Sequence, residues 1–188
     1  HIRIGGVDVR DMAKEELMDR ISFVFQNTKL FRTTIRENIT YGSPDASEDA
    51  LARAIDLSQS REIIERLPDG LQTKIGADGT YLSGGEQQLI ALARAILKDA
   101  PIVVLDEATA FADPENEKLI QQALHELTKG KTVLMIAHRL TSVQHVDRIL
   151  VIEKGRIAEQ GTHEELLTQG GLYKSMWEEY QRSVSWTL

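Results

Sequence analysis

Two acidic side chains stand together at the end of an apolar run: Ile102-Val103-Val104-Leu105 gives way to Asp106-Glu107. A carboxylate leaving a wholly apolar strand is costly to desolvate unless a cation or hydrogen bonds compensate. Magnesium beside phosphates is one such compensation, usually reached through a carboxylate and several waters. The next carboxylate can then position or deprotonate an attacking water. On the dipeptide alone, a surface turn that happens to carry two acids is the favoured explanation. Two other apolar runs also end on a polar residue, however: Ile21-Ser22-Phe23-Val24-Phe25 is followed by Gln26, and Thr132–Ala137 by His138. In an open parallel sheet, ligands gather at the carboxyl ends of the strands. A lone histidine there is more often solvated than catalytic, but three polar ends with paired carboxylates among them favour a site.

A second constellation is Leu82-Ser83-Gly84-Gly85-Glu86-Gln87, which opens a helix with Leu89, Leu92, Ala93 and Ile96 on its buried stripe. Ser83 and Glu86 have the spacing of a capping box, which is a purely structural reading. Two glycines in a first turn cost about 1 kcal/mol each relative to alanine. What they offer in return is bare backbone amide at a positive helix end, suited to close approach by phosphate oxygens. Gly130-Lys131-Thr132 looks like the end of a phosphate-binding loop, but residue 125 is His125 where that loop needs glycine. It also runs from helix into strand, the reverse of what such a loop requires. The segment reads as a helix stop followed by a strand.

These groups need a scaffold, and the chain supplies one. The three apolar runs are β-branched or aromatic and too short for helices. Between the last two, Pro114–Leu127 carries Leu119, Ile120, Ala123, Leu124 and Leu127 on one stripe, with Asp113 as N-cap and Pro114 at the first helical position. Strand, helix, strand at this spacing is a parallel crossover unit, so the class is α/β. From 43 to 98 the character changes: Ser47–Ile55 and Ser60–Leu67 are charged amphipathic segments, separated from the next helix by the loop Pro68–Tyr81. This stretch reads as a helical insertion into the α/β body. Beyond it, Arg148–Glu153 and Arg156–Gln160 flank Lys154-Gly155 as a hairpin, and short helices are expected over Thr162–Leu167 and Gly171–Tyr180. Trp177 and Trp186 read as aromatics that dock the tail. Asn38-Ile39-Thr40 matches the glycosylation sequon.

The 188 residues hold 22 Lys and Arg against 29 Asp and Glu, a net charge of −7. That balance argues against nucleic acid or an anionic membrane surface as the main partner. The absence of cysteine removes disulfide scaffolds, thiolate zinc sites and cysteine nucleophiles. No apolar run approaches the ~20 residues needed to span a bilayer. The opening His1-Ile2-Arg3-Ile4, with no initiator Met, reads as that of a fragment.

Taken together, the motifs resemble those of ATP-binding cassette proteins, in the order in which that family carries them. Leu82-Ser83-Gly84-Gly85-Glu86 resembles the signature motif, and Ile102–Glu107 the Walker B strand with its catalytic glutamate. Asp113 resembles the D-loop aspartate, His138 the switch histidine and Gln26 the Q-loop glutamine. The segments Leu30–Ile39 and Gly161–Leu167 resemble exporter-type cassettes. The fold this implies is a P-loop NTPase-like, mostly parallel sheet with flanking helices and an inserted helical subdomain, truncated at the N-terminus. Residues 1–42 and 99–188 would form the RecA-like core, and 43–98 the helical subdomain with the signature.

What the resemblance implies for function is ATP binding and hydrolysis with Mg2+, in the nucleotide-binding domain of a membrane transporter. Asp106 would hold the metal through water, Glu107 polarise the hydrolytic water and His138 contact the γ-phosphate. Gln26 would sense metal and γ-phosphate, while Ser83, Gly84, Gly85, Glu86 and Asp113 would face the nucleotide held by a second cassette packed head to tail. The partners implied are that cassette and a transmembrane domain, at the cytoplasmic face of the cell membrane. The Walker A loop and the adenine-stacking aromatic are expected just before His1, so the chain by itself is expected to bind nucleotide weakly and to lack ATPase activity.

The sequence also departs from the family pattern. Residue 86 is Glu where Gln is commonest, Gly76-Ala77-Asp78-Gly79 has Ala and Asp in place of Glu and Arg, and the D-loop reads Ala110-Phe111-Ala112-Asp113. That D-loop resembles a subset of exporter-like cassettes linked with iron–siderophore handling. A soluble cassette ATPase, or a non-catalytic cassette lending only its signature surface, remain the alternatives.

Overall fold

A computed structural model of the chain describes residues 1–25, 29–76, 81–106, 114–137 and 140–185, without the side chains of 114–115 and 184–185. It forms two compact units, His1–Ile136 and Ala137–Leu188, each with a core of its own.

The first unit begins with a small antiparallel hairpin, β1 (Arg3–Ile4) and β2 (Val7–Asp8). Gly5 and Gly6 form its turn at φ +56° and +86°, a conformation that favours residues without a Cβ. Helix α1 (Lys14–Asp19) leads into β3 (Ile21–Val24). Four further helices follow, α2 (Ile35–Thr40), α3 (Glu48–Leu57), α4 (Arg61–Glu65) and α5 (Gly84–Lys98). The unit closes with β4 (Ile102–Asp106), α6 (Pro114–Thr128) and β5 (Thr132–Ile136).

Strands β3, β4 and β5 form one parallel sheet in that order. Period-2 alternation divides each strand between two faces. Ser22, Val24, Val103 and Leu105 are buried, whereas Phe23, Phe25, Leu134 and Ile136 are exposed. The rings of Phe23 and Phe25 stack with centroids 5.8 Å apart. The expected strand, helix, strand crossover is therefore present, and the stripe Ile120, Ala123, Leu124, Leu127 of α6 is buried as its spacing requires.

Helix α5 is the centre of this unit. It packs against α2, α3, α6 and β3, and Leu89, Ile90, Leu92 and Ala93 are fully buried. Its C-terminal Lys98 donates from Nζ to the carbonyls of Met18 and Ile21, at 2.5 and 2.7 Å, tying α5 to the entry of β3. The helices of residues 43–98 share one continuous core with the sheet, including Leu51, Ile55, Val24 and Val103.

Asn38 is fully buried on α2 rather than presented for modification. Its Oδ1 accepts from the Phe31 amide at 2.8 Å and from Arg94 at 3.1 Å, and its Nδ2 donates to the carbonyls of Phe31 and Thr34. The sequon match at Asn38-Ile39-Thr40 therefore presents no accessible amide: the side chain is an internal clamp. Gly130, at φ +68°, separates the end of α6 from β5, as the helix-stop reading requires.

In the second unit, β6 (Ile149–Glu153) and β7 (Arg156–Gly161) pair antiparallel around Lys154 and Gly155, both in the left-handed region. Helices α7 (His163–Gln169) and α8 (Leu172–Ser185) follow. The Glu159 carboxylate reaches from β7 to accept from the amides of Leu172 and Tyr173, capping α8 from outside. A Cβ on Gly171 would stand 2.0 Å from that carboxylate, so a larger residue there would displace the Glu159 cap. Tyr173 and Trp177 are buried beside His163, whose Nδ1 lies 2.7 Å from the Tyr173 hydroxyl. Burial pushes the Tyr173 phenol up from its ordinary value. Trp186 lies outside the described residues.

Candidate functional site

The register of the sheet decides where the three polar strand ends begin. Val24 pairs with Leu105, and Leu105 with Met135, so the strands finish in one row. Asp106 is the last residue of β4 and stands beside Ile136 at the end of β5. It is half-buried at the carboxyl edge of the sheet, where open parallel sheets collect ligands. Gln26, Glu107, Asp113 and His138 lie outside the described residues. Among the described residues, β3 ends two residues before Gln26, β4 ends one residue before Glu107, and β5 ends two residues before His138.

The second part of the site is the start of α5. Ser83 is its N-cap: Oγ accepts from the Glu86 amide at 3.3 Å, while Glu86 Oε2 accepts from the Ser83 amide at 2.7 Å. The capping box expected from the spacing is present in full. Gln87 adds a bond from Nε2 to the Leu82 carbonyl at 2.8 Å. Ser83 and Gly84 are exposed, and a Cβ on Gly84 would meet nothing within 4 Å. Gly85 is buried, and a Cβ there would stand 2.9 Å from Cβ and Cγ of Asn116 on α6. The two glycines thus have different reasons. Gly85 permits close helix packing, whereas the bare backbone of Gly84 faces outward at the positive end of a 15-residue helix.

Sequence reasoning missed two contacts of helix α5. One is Arg66, just past α4, which forms an ion pair with Glu86; it lies 20 residues before its partner, outside any local motif. The other is Arg94, which donates to the Asn38 carbonyl at 2.6 Å and lies 5.1 Å from the Phe31 ring centroid. Burial lowers the Arg94 pKa from its ordinary value, with Tyr41 acting in the opposite direction. Spacing carried no signal for either contact, since each joins segments brought together only by packing.

The chemistry of these groups fits Mg2+ with a nucleotide triphosphate. Asp106 is a hard oxygen donor at a strand end, and Mg2+ typically takes one or two carboxylates with waters and substrate phosphates completing its shell. A cage of three or more protein ligands is not needed, and none occurs among the described residues. Among them, no helix is long and apolar enough to cross a membrane.

Comparison with known proteins places this geometry in a family. Residues 1–110 match the family described as ABC transporter. The chain is 51% identical over 181 residues to the mycobactin import ATP-binding/permease protein IrtA of Mycolicibacterium smegmatis, covering 96% of this chain and 21% of that protein. It is 49% identical to an ATP-dependent lipid A-core flippase of Chromohalobacter salexigens, covering 93% of this chain and 30% of the flippase. The structure of a bacterial Atm1-family ABC exporter with ATP bound superposes with a TM-score of 0.83 at 38% identity, over 93% of this chain and 30% of that one. The chain belongs to the ABC transporter family, as a nucleotide-binding domain of exporter type with an α/β, mostly parallel fold. It spans about a fifth to a third of the length of the relatives it matches.

Proposed function

We propose that residues 1–188 work within a longer transporter as most of an ATP-binding cassette that binds and hydrolyses ATP to drive transport. The observation that supports this reading is the common finish of β3, β4 and β5 at Val24, Leu105 and Met135, with Asp106 next in the row. Asp106 would hold Mg2+ through water, and Gln26 would sense metal and γ-phosphate. Glu107 would polarise the hydrolytic water, and His138 would contact the γ-phosphate. Mg2+, when bound, would supply charge neutralisation to the phosphates. Ser83, Gly84, Gly85, Glu86 and Asp113 serve the nucleotide of a second cassette, so a complete site needs two cassettes packed head to tail.

In this reading, residues 43–98 form the helical subdomain, with 1–42 and 99–188 as the RecA-like core. The phosphate-binding loop and the transmembrane domain are supplied by other parts of the transporter, and the cassette sits at the cytoplasmic face of the membrane. Relatives named as combined ATP-binding/permease proteins support that partnership. The D-loop wording and the mycobactin import relatives together favour an iron–siderophore cargo.

The test is Glu107→Gln in the intact transporter. Hydrolysis of Mg-ATP should fall at least ~100-fold, the scale of losing a group that orients the reacting water, while ATP binding stays within about two-fold. Turnover like that of the wild type would remove Glu107 from its role.

A further inference from the structure

We infer that Arg66 is a positioning residue of the nucleotide site, which offsets the charge of Glu86 so that the signature turn can accept a polyphosphate. The inference rests on the cassette reading above and extends it to a residue outside the signature motif.

Glu86 sits in the first turn of α5, one residue past the glycine pair. A carboxylate there satisfies the positive end of its own helix. It therefore competes with any other anion brought to that end. Glutamine, the commoner residue at this position in the family, makes the same capping bond without the charge. In this chain, the carboxylate is held on both sides. Oε2 accepts from the Ser83 amide at 2.7 Å, and Oε1 pairs with the Arg66 guanidinium.

A single carboxylate thus bridges Arg66 and the exposed backbone at Ser83. The Glu86 side chain is only 14% exposed, so solvent screens its charge poorly, whereas Arg66 keeps 58% of its side chain in solvent. Arg66 is also fixed in place. Its amide donates to the carbonyls of Glu62 and Ile64 at the end of α4, and the neighbouring Ile63 and Ile64 belong to the core. The pair turns a negatively charged turn into one with no net charge, beside the exposed Gly84. It also adds a guanidinium, the group best matched to phosphate oxygens. Arg66 and Glu86 thereby act as a unit, and each is expected to matter only in the presence of the other.

The experiment is a double-mutant cycle in the intact transporter, measuring steady-state Mg-ATP hydrolysis. Arg66→Ala should raise KM for Mg-ATP about five-fold, the upper end of what a partly exposed charge pair contributes, with kcat changed less than about two-fold. Arg66→Lys should retain most of the wild-type KM. In a Glu86→Gln background, Arg66→Ala should change KM less than about two-fold. Raising the salt from about 0.05 to about 0.5 M should shrink the effect in the Glu86 protein.

An equal KM increase in both backgrounds, or no increase in the Glu86 protein, would overturn the inference. Thermal unfolding of each variant separates loss of the α4 contact from loss of charge. If the alanine variant does not fold, Arg66→Gln takes its place with the same expectations. Ser83→Arg serves as the control, since it blocks the signature surface directly. Loss of hydrolysis in Ser83→Arg with Arg66→Ala silent defeats the inference alone, whereas wild-type hydrolysis in Ser83→Arg defeats the cassette reading.

Discussion

Asn38 shows how much one buried side chain does in this chain. Its amide closes the loop at Phe31, bonds one turn back to Thr34, and receives Arg94 from α5. Truncation removes four hydrogen bonds and leaves the Phe31 amide and carbonyl without the side chain that satisfied them, and a buried group left unsatisfied costs about 1–3 kcal/mol. Asn38→Ala should therefore destabilise the protein by roughly 3 kcal/mol, read as a shift in the denaturant midpoint at constant slope. A change below about 0.5 kcal/mol would show that water replaces the amide. The sequon hid this role, because a three-residue pattern says nothing of burial. The place of Asp106 at a strand end was legible for the opposite reason: a short apolar run followed by a carboxylate marks where a buried strand must stop.

At the scale of elements, the signature turn separates two uses of glycine. Gly84 is in helical conformation with open space where a Cβ would go. Gly84→Ala should keep or slightly raise stability, by up to ~1 kcal/mol, yet lower Mg-ATP turnover in the intact transporter if phosphate needs the bare amide. Gly85→Ala drives a Cβ into Asn116 and should cost about 1–3 kcal/mol through overpacking. Thermal melts and ATPase rates of the two variants read this contrast. Equal destabilisation in both would contradict it.

The same helix shows what could be read without coordinates. Ser83, Glu86 and the Leu89–Leu92 stripe announced its start and its buried face, because capping and periodicity are local. Helix α2 carries a capping box of the same form at Thr34 and Glu37, but at six residues it offers too few turns for a period to show, and no helix is expected there from the sequence. The β1–β2 hairpin is likewise not expected, because its two-residue strands are too short to alternate. The caps supplied over distance, Glu159 on α8 and Arg66 on Glu86, depend on tertiary packing and leave no mark in spacing.

For the whole molecule, the proposed function makes the sheet edge and the start of α5 halves of two different sites. On that proposal the row Val24–Leu105–Met135 would open towards a nucleotide bound by this cassette, and the exposed Ser83 and Gly84 would serve one bound by its partner. Nucleotide would then join two cassettes, and neither copy would complete a site alone. The most direct measurement is the sedimentation of a complete cassette, this chain joined to its phosphate-binding loop, carrying Glu107→Gln to block turnover. Addition of Mg-ATP should convert it from monomer to a dimer holding two nucleotides, and a second substitution, Ser83→Arg, should abolish that conversion. A cassette that stays monomeric with one nucleotide bound, or a dimer indifferent to Ser83→Arg, would contradict the account.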